Sequence, residues 1–177
     1  MMDLFEKTIA SKKLYEGKIL NLRIDDVILP DGKKSNREIV EHPGGVSILA
    51  VKDNGKILIV KQFRKAANKA LFEIPAGKLE FGENPDACAK RELMEETGYT
   101  SEKLKLLLSF YPSPGFSEEN IYVYLAENLR EEHVDTDDDE FLEVYEYTIN
   151  ELVEMIKKNE IVDAKTIIAI LYYINLL

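Results

Sequence analysis

A chain of 177 residues fits one domain, or one domain with a small extension. It can bury roughly 70% of the surface its unfolded form exposes, so it needs no staples. A single cysteine, Cys88, excludes a disulfide framework and a Cys-based zinc site, and fits a reducing cytoplasm. A net charge of −10 argues against nucleic-acid and anionic-membrane partners, which need a basic footprint.

Met1–Lys13 is charged throughout and holds no apolar run, so no signal peptide is expected. β-like runs over Lys18–Leu29 and Arg37–His42 flank the turn sequence Pro30-Asp31-Gly32. They form a β-rich extension over residues 1–45, ahead of a main domain over 46–177. The apolar runs Val46–Val51 and Lys56–Gln62, joined by Asp53-Asn54-Gly55, read as a hairpin. Leu71–Ile74 is a short strand stopped by Pro75. Asn84 can cap a helix that Pro85 opens and Gly98 closes.

Leu104–Tyr111, Asn120–Ala126 and Phe141–Thr148 read as further strands, with an acidic loop within Leu125–Asp139. Asn150 is the expected cap of a helix over Glu151–Lys158, and Ala164–Leu177 makes another. The apolar end, Ile167–Leu177, is too short to span a bilayer. Strands flank the helices without a βαβ rhythm, so the class is α+β with a mixed sheet between helices.

The Asn84–Gly98 helix carries the chemistry. Glu92, Glu95 and Glu96 stand at i, i+3 and i+4 and share one face. Like charges at that spacing repel, and Lys90 and Arg91 offset only part of it. Taken alone, such a trio is either a solvated acidic face or a set of hard oxygen ligands for Mg²⁺ or Mn²⁺. An acidic protein acting on an anion would also need a divalent cation to reverse the local field.

The surrounding spacing favours the ligands. Gly77, Glu83, Arg91, Glu92, Leu93, Glu95, Glu96 and Gly98 fall in register with the signature of the Nudix hydrolases, which this stretch resembles. Tyr99 departs from the usual aliphatic at the end, where an aromatic can fill the same packing role. The resemblance implies an α/β/α sandwich and hydrolysis of a nucleoside-diphosphate compound. It also implies metal ligands at Glu92, Glu95, Glu96 and the backbone carbonyl of Ala76. Arg91 and Glu83 would form an orienting ion pair, with the outer metal shell as the alternative for Glu83. Gly77 would let the loop backbone approach the metal, and Cys88 reads as a small packing residue.

Three further segments resemble bacterial ADP-ribose pyrophosphatases: Glu73-Ile74-Pro75-Ala76-Gly77-Lys78-Leu79-Glu80, Tyr111–Glu119 with Pro114 sixteen residues past Gly98, and Asp163-Ala164-Lys165-Thr166. For the proline loop, a rigid turn between strands is the competing reading. By the same resemblance Arg37, Glu38, Arg64 and Glu73 bind substrate, with ordinary surface charge as the alternative for the two arginines. A base in a late acidic loop would be Glu140 first, Asp138 second, with Glu95 a third candidate. Homodimerisation through the extension is also implied. His42 and His133 lack ligand spacing. Other diphosphates (NADH, a nucleotide sugar, a diadenosine polyphosphate) are the alternatives within enzymes. A non-catalytic sensor is the alternative of another class; degenerate versions would be expected to lose the glutamates kept here.

Overall fold

The computed structural model describes residues 3–132 and 141–176. The chain divides into two compact units, one of residues 1–44 and 111–120, the other of 45–110 and 121–177.

In the first unit β1 (Lys7–Glu16), β2 (Asn21–Ile28) and β3 (Lys34–Glu41) form an antiparallel sheet in that order. The Pro30-Asp31-Gly32 turn closes β2 onto β3, with Leu29 and Lys33 bonded across it and Gly32 at φ 84°. The sequence did not mark β1: all ten of its residues are exposed, so no buried face imposes an apolar alternation. Residues 113–118 turn back to β3, where Val40 bonds Phe116 and Glu118.

The second unit holds a four-stranded sheet in the order β7 (Ala76–Lys78), β4 (Gly45–Ala50), β10 (Ile121–Glu127), β9 (Lys103–Phe110). β4 and β10 run parallel and the other pairs antiparallel, which makes the sheet mixed. A three-stranded antiparallel sheet sets β12 (Leu142–Tyr147), β5 (Ile57–Arg64) and β6 (Lys69–Glu73) in that order. A short pair joins β8 (Tyr99–Thr100) to β11 (Arg130–Glu131).

Strand alternation sorts side chains into two cores. Val46, Ile48, Ala50, Leu58, Tyr124 and Ala126 pack with Cys88, Ala89 and Leu93 of α1 (Pro85–Thr97). Leu49, Ile57, Ile59, Val123 and Leu125 instead face Leu152 and Met155 of α2 (Ile149–Lys157) and Ala169 and Ile170 of α3 (Ala164–Ile174). One helix therefore covers one side and two the other, the expected sandwich. No helix among the described residues is long and apolar enough to cross a membrane.

Two expectations are corrected. The Asp53-Asn54-Gly55 turn forms, with Gly55 at φ 77°, but joins two sheets rather than a hairpin. The bridge Val51–Ile57 and the Lys52 amide on Lys56 O close the turn, but β4 is buried along its whole length and takes β7 and β10 as neighbours. α2 is capped by Thr148, not Asn150. Thr148 Oγ1 accepts from Glu151 N at 3.3 Å while Glu151 accepts from Thr148 N at 2.7 Å, a reciprocal box that starts two residues earlier.

Candidate active site

The signature residues are set by local rules. Asn84 Oδ1 accepts from the amides of Asp86 and Ala87 at 2.8 and 3.4 Å, and Pro85 opens α1. Gly98 ends the helix at φ 71°, bonding Met94 O at 2.8 Å. Cys88 and Leu93 anchor the opposite face in the core. Burial pushes the Cys88 thiol up to about 12, so it stays protonated as a packing group. Tyr99 packs against the same core and accepts from Lys52 Nζ at 2.9 Å, filling the position usually held by an aliphatic.

The acidic face is not a solvated one. Glu96 is only 5% exposed, and its Oε2 accepts from the Ala76 amide at 2.9 Å. The Glu92 carboxylate lies against Gly77: a Cβ there would sit 1.8 Å from Glu92 Cδ, so only glycine leaves room. Glu95 stays more open, at 40% side-chain exposure.

Arg91 ties this face together. It bonds Glu83 through Nε at 3.1 Å and a second nitrogen at 3.2 Å, and also reaches Glu92 at 2.7 Å and Glu95 at 2.8 Å. The expected Arg91–Glu83 pair is present, and its hydrogen bonds, with one from the Glu80 amide, hold the Glu83 carboxyl down to about 2. Among the described residues no three acidic, histidine or cysteine side chains converge closely enough to hold an ion as turned here. The three glutamates share a face on which Glu92 and Glu95 pair with Arg91 and Glu96 accepts from Ala76. Ala76 meets Glu96 through its N–H. The donor set still suits a hard divalent cation. Three carboxylates occupy one helical face, and the loop opposite is bare at Gly77 where Glu92 enters.

A second cluster lies behind this loop. Glu73 is 1% exposed; Arg64 donates to both its oxygens at 2.7 Å, and Lys165 Nζ donates to Oε2 as well. Burial opposes ionisation of Glu73, but Arg64 and Lys165 outweigh it and hold the carboxyl below its ordinary value. Glu73, assigned to substrate by the resemblance, has both oxygens engaged by Arg64, whose own side chain remains 41% exposed. Lys165 also pairs with Asp163 at 3.0 Å, and Asp163 accepts from the amide and hydroxyl of Thr166. The resemblance marks Asp163–Thr166 but assigns these residues no role. An aspartate three residues before a threonine at a helix start was the available signal.

In the first unit, Arg37 grips Glu6 with two nitrogens at 2.8 and 2.6 Å. Glu38 is exposed and next to it in β3, so the two side chains alternate across the strand. Pro114 is exposed in a turn closed by Phe116 and Ser117 amides on Ser113 O, at 3.2 and 2.9 Å. His42 Nδ1 accepts from the Gly44 amide at 3.1 Å. Glu140, Asp138 and His133 lie outside the described residues.

Comparison with known proteins agrees with this geometry. Residues 41–169 match the NUDIX domain, and residues 6–40 the nucleoside diphosphate sugar hydrolase N-terminal domain. The chain is 52% identical over 174 residues to the ADP-ribose pyrophosphatase of Bacillus subtilis (strain 168), covering 97% of this chain and 94% of that one. It is 47% identical over 169 residues to the methanol dehydrogenase activator of Bacillus methanolicus, covering 94% and 91%. A solved ADP compounds hydrolase superposes with a TM-score of 0.85 at 16% identity, over 97% of this chain and 94% of the other, a likeness of fold. Signature, sandwich and sequence agree, and the chain belongs to the NUDIX domain family.

Proposed function

We propose that this protein is a pyrophosphohydrolase that cuts the diphosphate of ADP-ribose to give AMP and ribose 5-phosphate. The observation that carries the reading is the enclosed acidic face of α1 against Gly77 and Ala76, in a chain 52% identical to an ADP-ribose pyrophosphatase. NUDIX hydrolases generally use a divalent metal. Here Glu92, Glu95, Glu96 and the Ala76 backbone would hold Mg²⁺, or Mn²⁺ in its place. When bound, the metal neutralises diphosphate charge and acidifies the attacking water.

The protein's own groups do the rest. Arg91 holds the acidic side chains in register from the side of Glu83. Arg64, kept charged and aimed by Glu73, is suited to grip substrate phosphate or ribose. Arg37, Glu38 and Pro114 are assigned to the nucleotide side, and Glu140, with Asp138 as second candidate, to taking the proton of the attacking water. Exposed Phe5, Ile9, Leu14 and Tyr15 on and beside β1 support a homodimer through the N-terminal strands. The single buried Cys88 suits the cytoplasm.

Turnover with Mg²⁺ across ADP-ribose, NADH, nucleotide sugars and diadenosine polyphosphates tests the assignment. ADP-ribose is expected to give the highest kcat/KM with AMP as a product. A rank among the poorest substrates would remove ADP-ribose, and the nucleoside diphosphate sugars suggested by the match over residues 6–40 would take its place.

A further inference from the structure

We propose that Thr166 and Lys165, at the start of α3, are positioning residues for the Glu96 carboxylate, acting through the backbone of residues 73–76. The inference rests on the reading of Glu96 as a metal ligand.

Thr166 is fully buried. Its hydroxyl donates to Asp163 Oδ2 at 2.6 Å, which uses its only proton. The oxygen is therefore oriented to accept, and it accepts from the Ile74 amide at 2.9 Å, from a residue 92 positions away. Closing the N-terminus of α3 does not require that second bond, since Asp163 already accepts from the Thr166 amide at 3.0 Å.

The residues after Ile74 carry the constraint forward. Pro75 has a fixed φ, and its carbonyl accepts from the Ile48 amide of β4 at 2.8 Å. The next amide, that of Ala76, donates to Glu96 Oε2 at 2.9 Å. At the other end Glu73 is clamped by Arg64 and by Lys165, which is itself paired to Asp163. Residues 73–76 are thus tied in turn to α3, β4 and α1, and the amide that fixes Glu96 can shift only if those ties give.

The test is Mn²⁺ binding to the full chain without substrate, followed by the paramagnetic resonance of free Mn²⁺, alongside thermal melts. T166V removes the acceptor for Ile74 but keeps the volume. Its Mn²⁺ dissociation constant should rise about tenfold or more, as expected for loss of an outer support of a metal ligand. The Mg²⁺ concentration for half-maximal turnover should rise in step. T166S restores the hydroxyl and should return both to within about twofold of wild type. K165M, leaving Glu73 to Arg64, should give a smaller rise, and it decides the matter if T166V does not fold.

A role in folding alone would lower the melting temperature and leave Mn²⁺ affinity of the folded chain unchanged; that result, or no rescue by T166S, overturns the proposal. If the wild type binds Mn²⁺ in a Thr166-dependent way but releases no AMP from ADP-ribose, the substrate assignment falls and the positioning role stands. If ADP-ribose is cut and affinity ignores Thr166, the reverse holds. A wild-type chain that takes up no Mn²⁺ sinks both.

Discussion

Arg91 and Arg64 each grip a glutamate with two guanidinium nitrogens, and each grip steadies a piece of the same loop-and-helix site. Their partners differ in surroundings. Glu83 keeps 17% side-chain exposure, and Arg91 spreads its charge over Glu92 and Glu95 too. Glu73 has 1% exposure, and Lys165 adds a second cation to it. Water can re-solvate Glu83 if its pair breaks, but it cannot reach Glu73 or the Thr166 hydroxyl without opening the core. The first cluster can therefore change its contacts when a cation or a phosphate arrives. The second is a fixed frame.

Glu96, where the two clusters meet through the Ala76 amide, should give the largest effect. Glu96→Gln keeps an acceptor for that amide but removes the charge, so the fold should survive. Turnover should drop about 10²–10³-fold, the loss typical of one electrostatic group in an active site, about 2.7–4 kcal/mol. An undiminished rate with an unaltered melting temperature would mean that the acidic face has no part in the reaction.

Glu73→Gln comes next, and its main effect should be on stability. Removing one partner of a buried ion pair costs about 3–5 kcal/mol. The lower end, about 3 kcal/mol, is expected here because Arg64 is 41% exposed and can turn to water. Urea unfolding at pH 7 measures it; a loss below about 1 kcal/mol, the range of surface pairs, would erase the contrast between the two clusters.

This contrast also separates what the sequence could say from what it could not. Asn84, Pro85 and Gly98 bounded α1 correctly because caps act within a turn or two of chain. Glu83 and Arg91, eight residues apart, could be paired for the same reason. Glu73 could not be placed, since its contact with Lys165 spans 92 residues and no local pattern encodes it. The Asp53-Asn54-Gly55 turn was read correctly as a turn and wrongly as a hairpin. Local chemistry sets the bend, while burial of β4 on both faces sends the flanking strands to different sheets. The exposed strand β1 left no apolar rhythm to find. Gly77 was assigned to close approach of the loop, and its neighbour is the carboxylate of Glu92.

The smallest effect should come from Glu83→Gln, and its pH dependence is more informative than its size. The folded carboxyl titrates at about 2 against an ordinary 4.5, chiefly because Arg91 donates to the charged form. A depressed folded value means that ionisation favours the fold. The contribution is fully present above about 4.5 and disappears as pH falls toward 2. With solvent screening at this partly exposed site the gap between wild type and variant should be about 1 kcal/mol at pH 7. Urea unfolding at pH 7, 5, 4 and 3.5 should show that gap closing over the last two points. A gap that stays level down to pH 3.5 would assign the loss to side-chain fit rather than charge, and the Glu83–Arg91 pair would then be held by shape as firmly as Glu73 is held by burial.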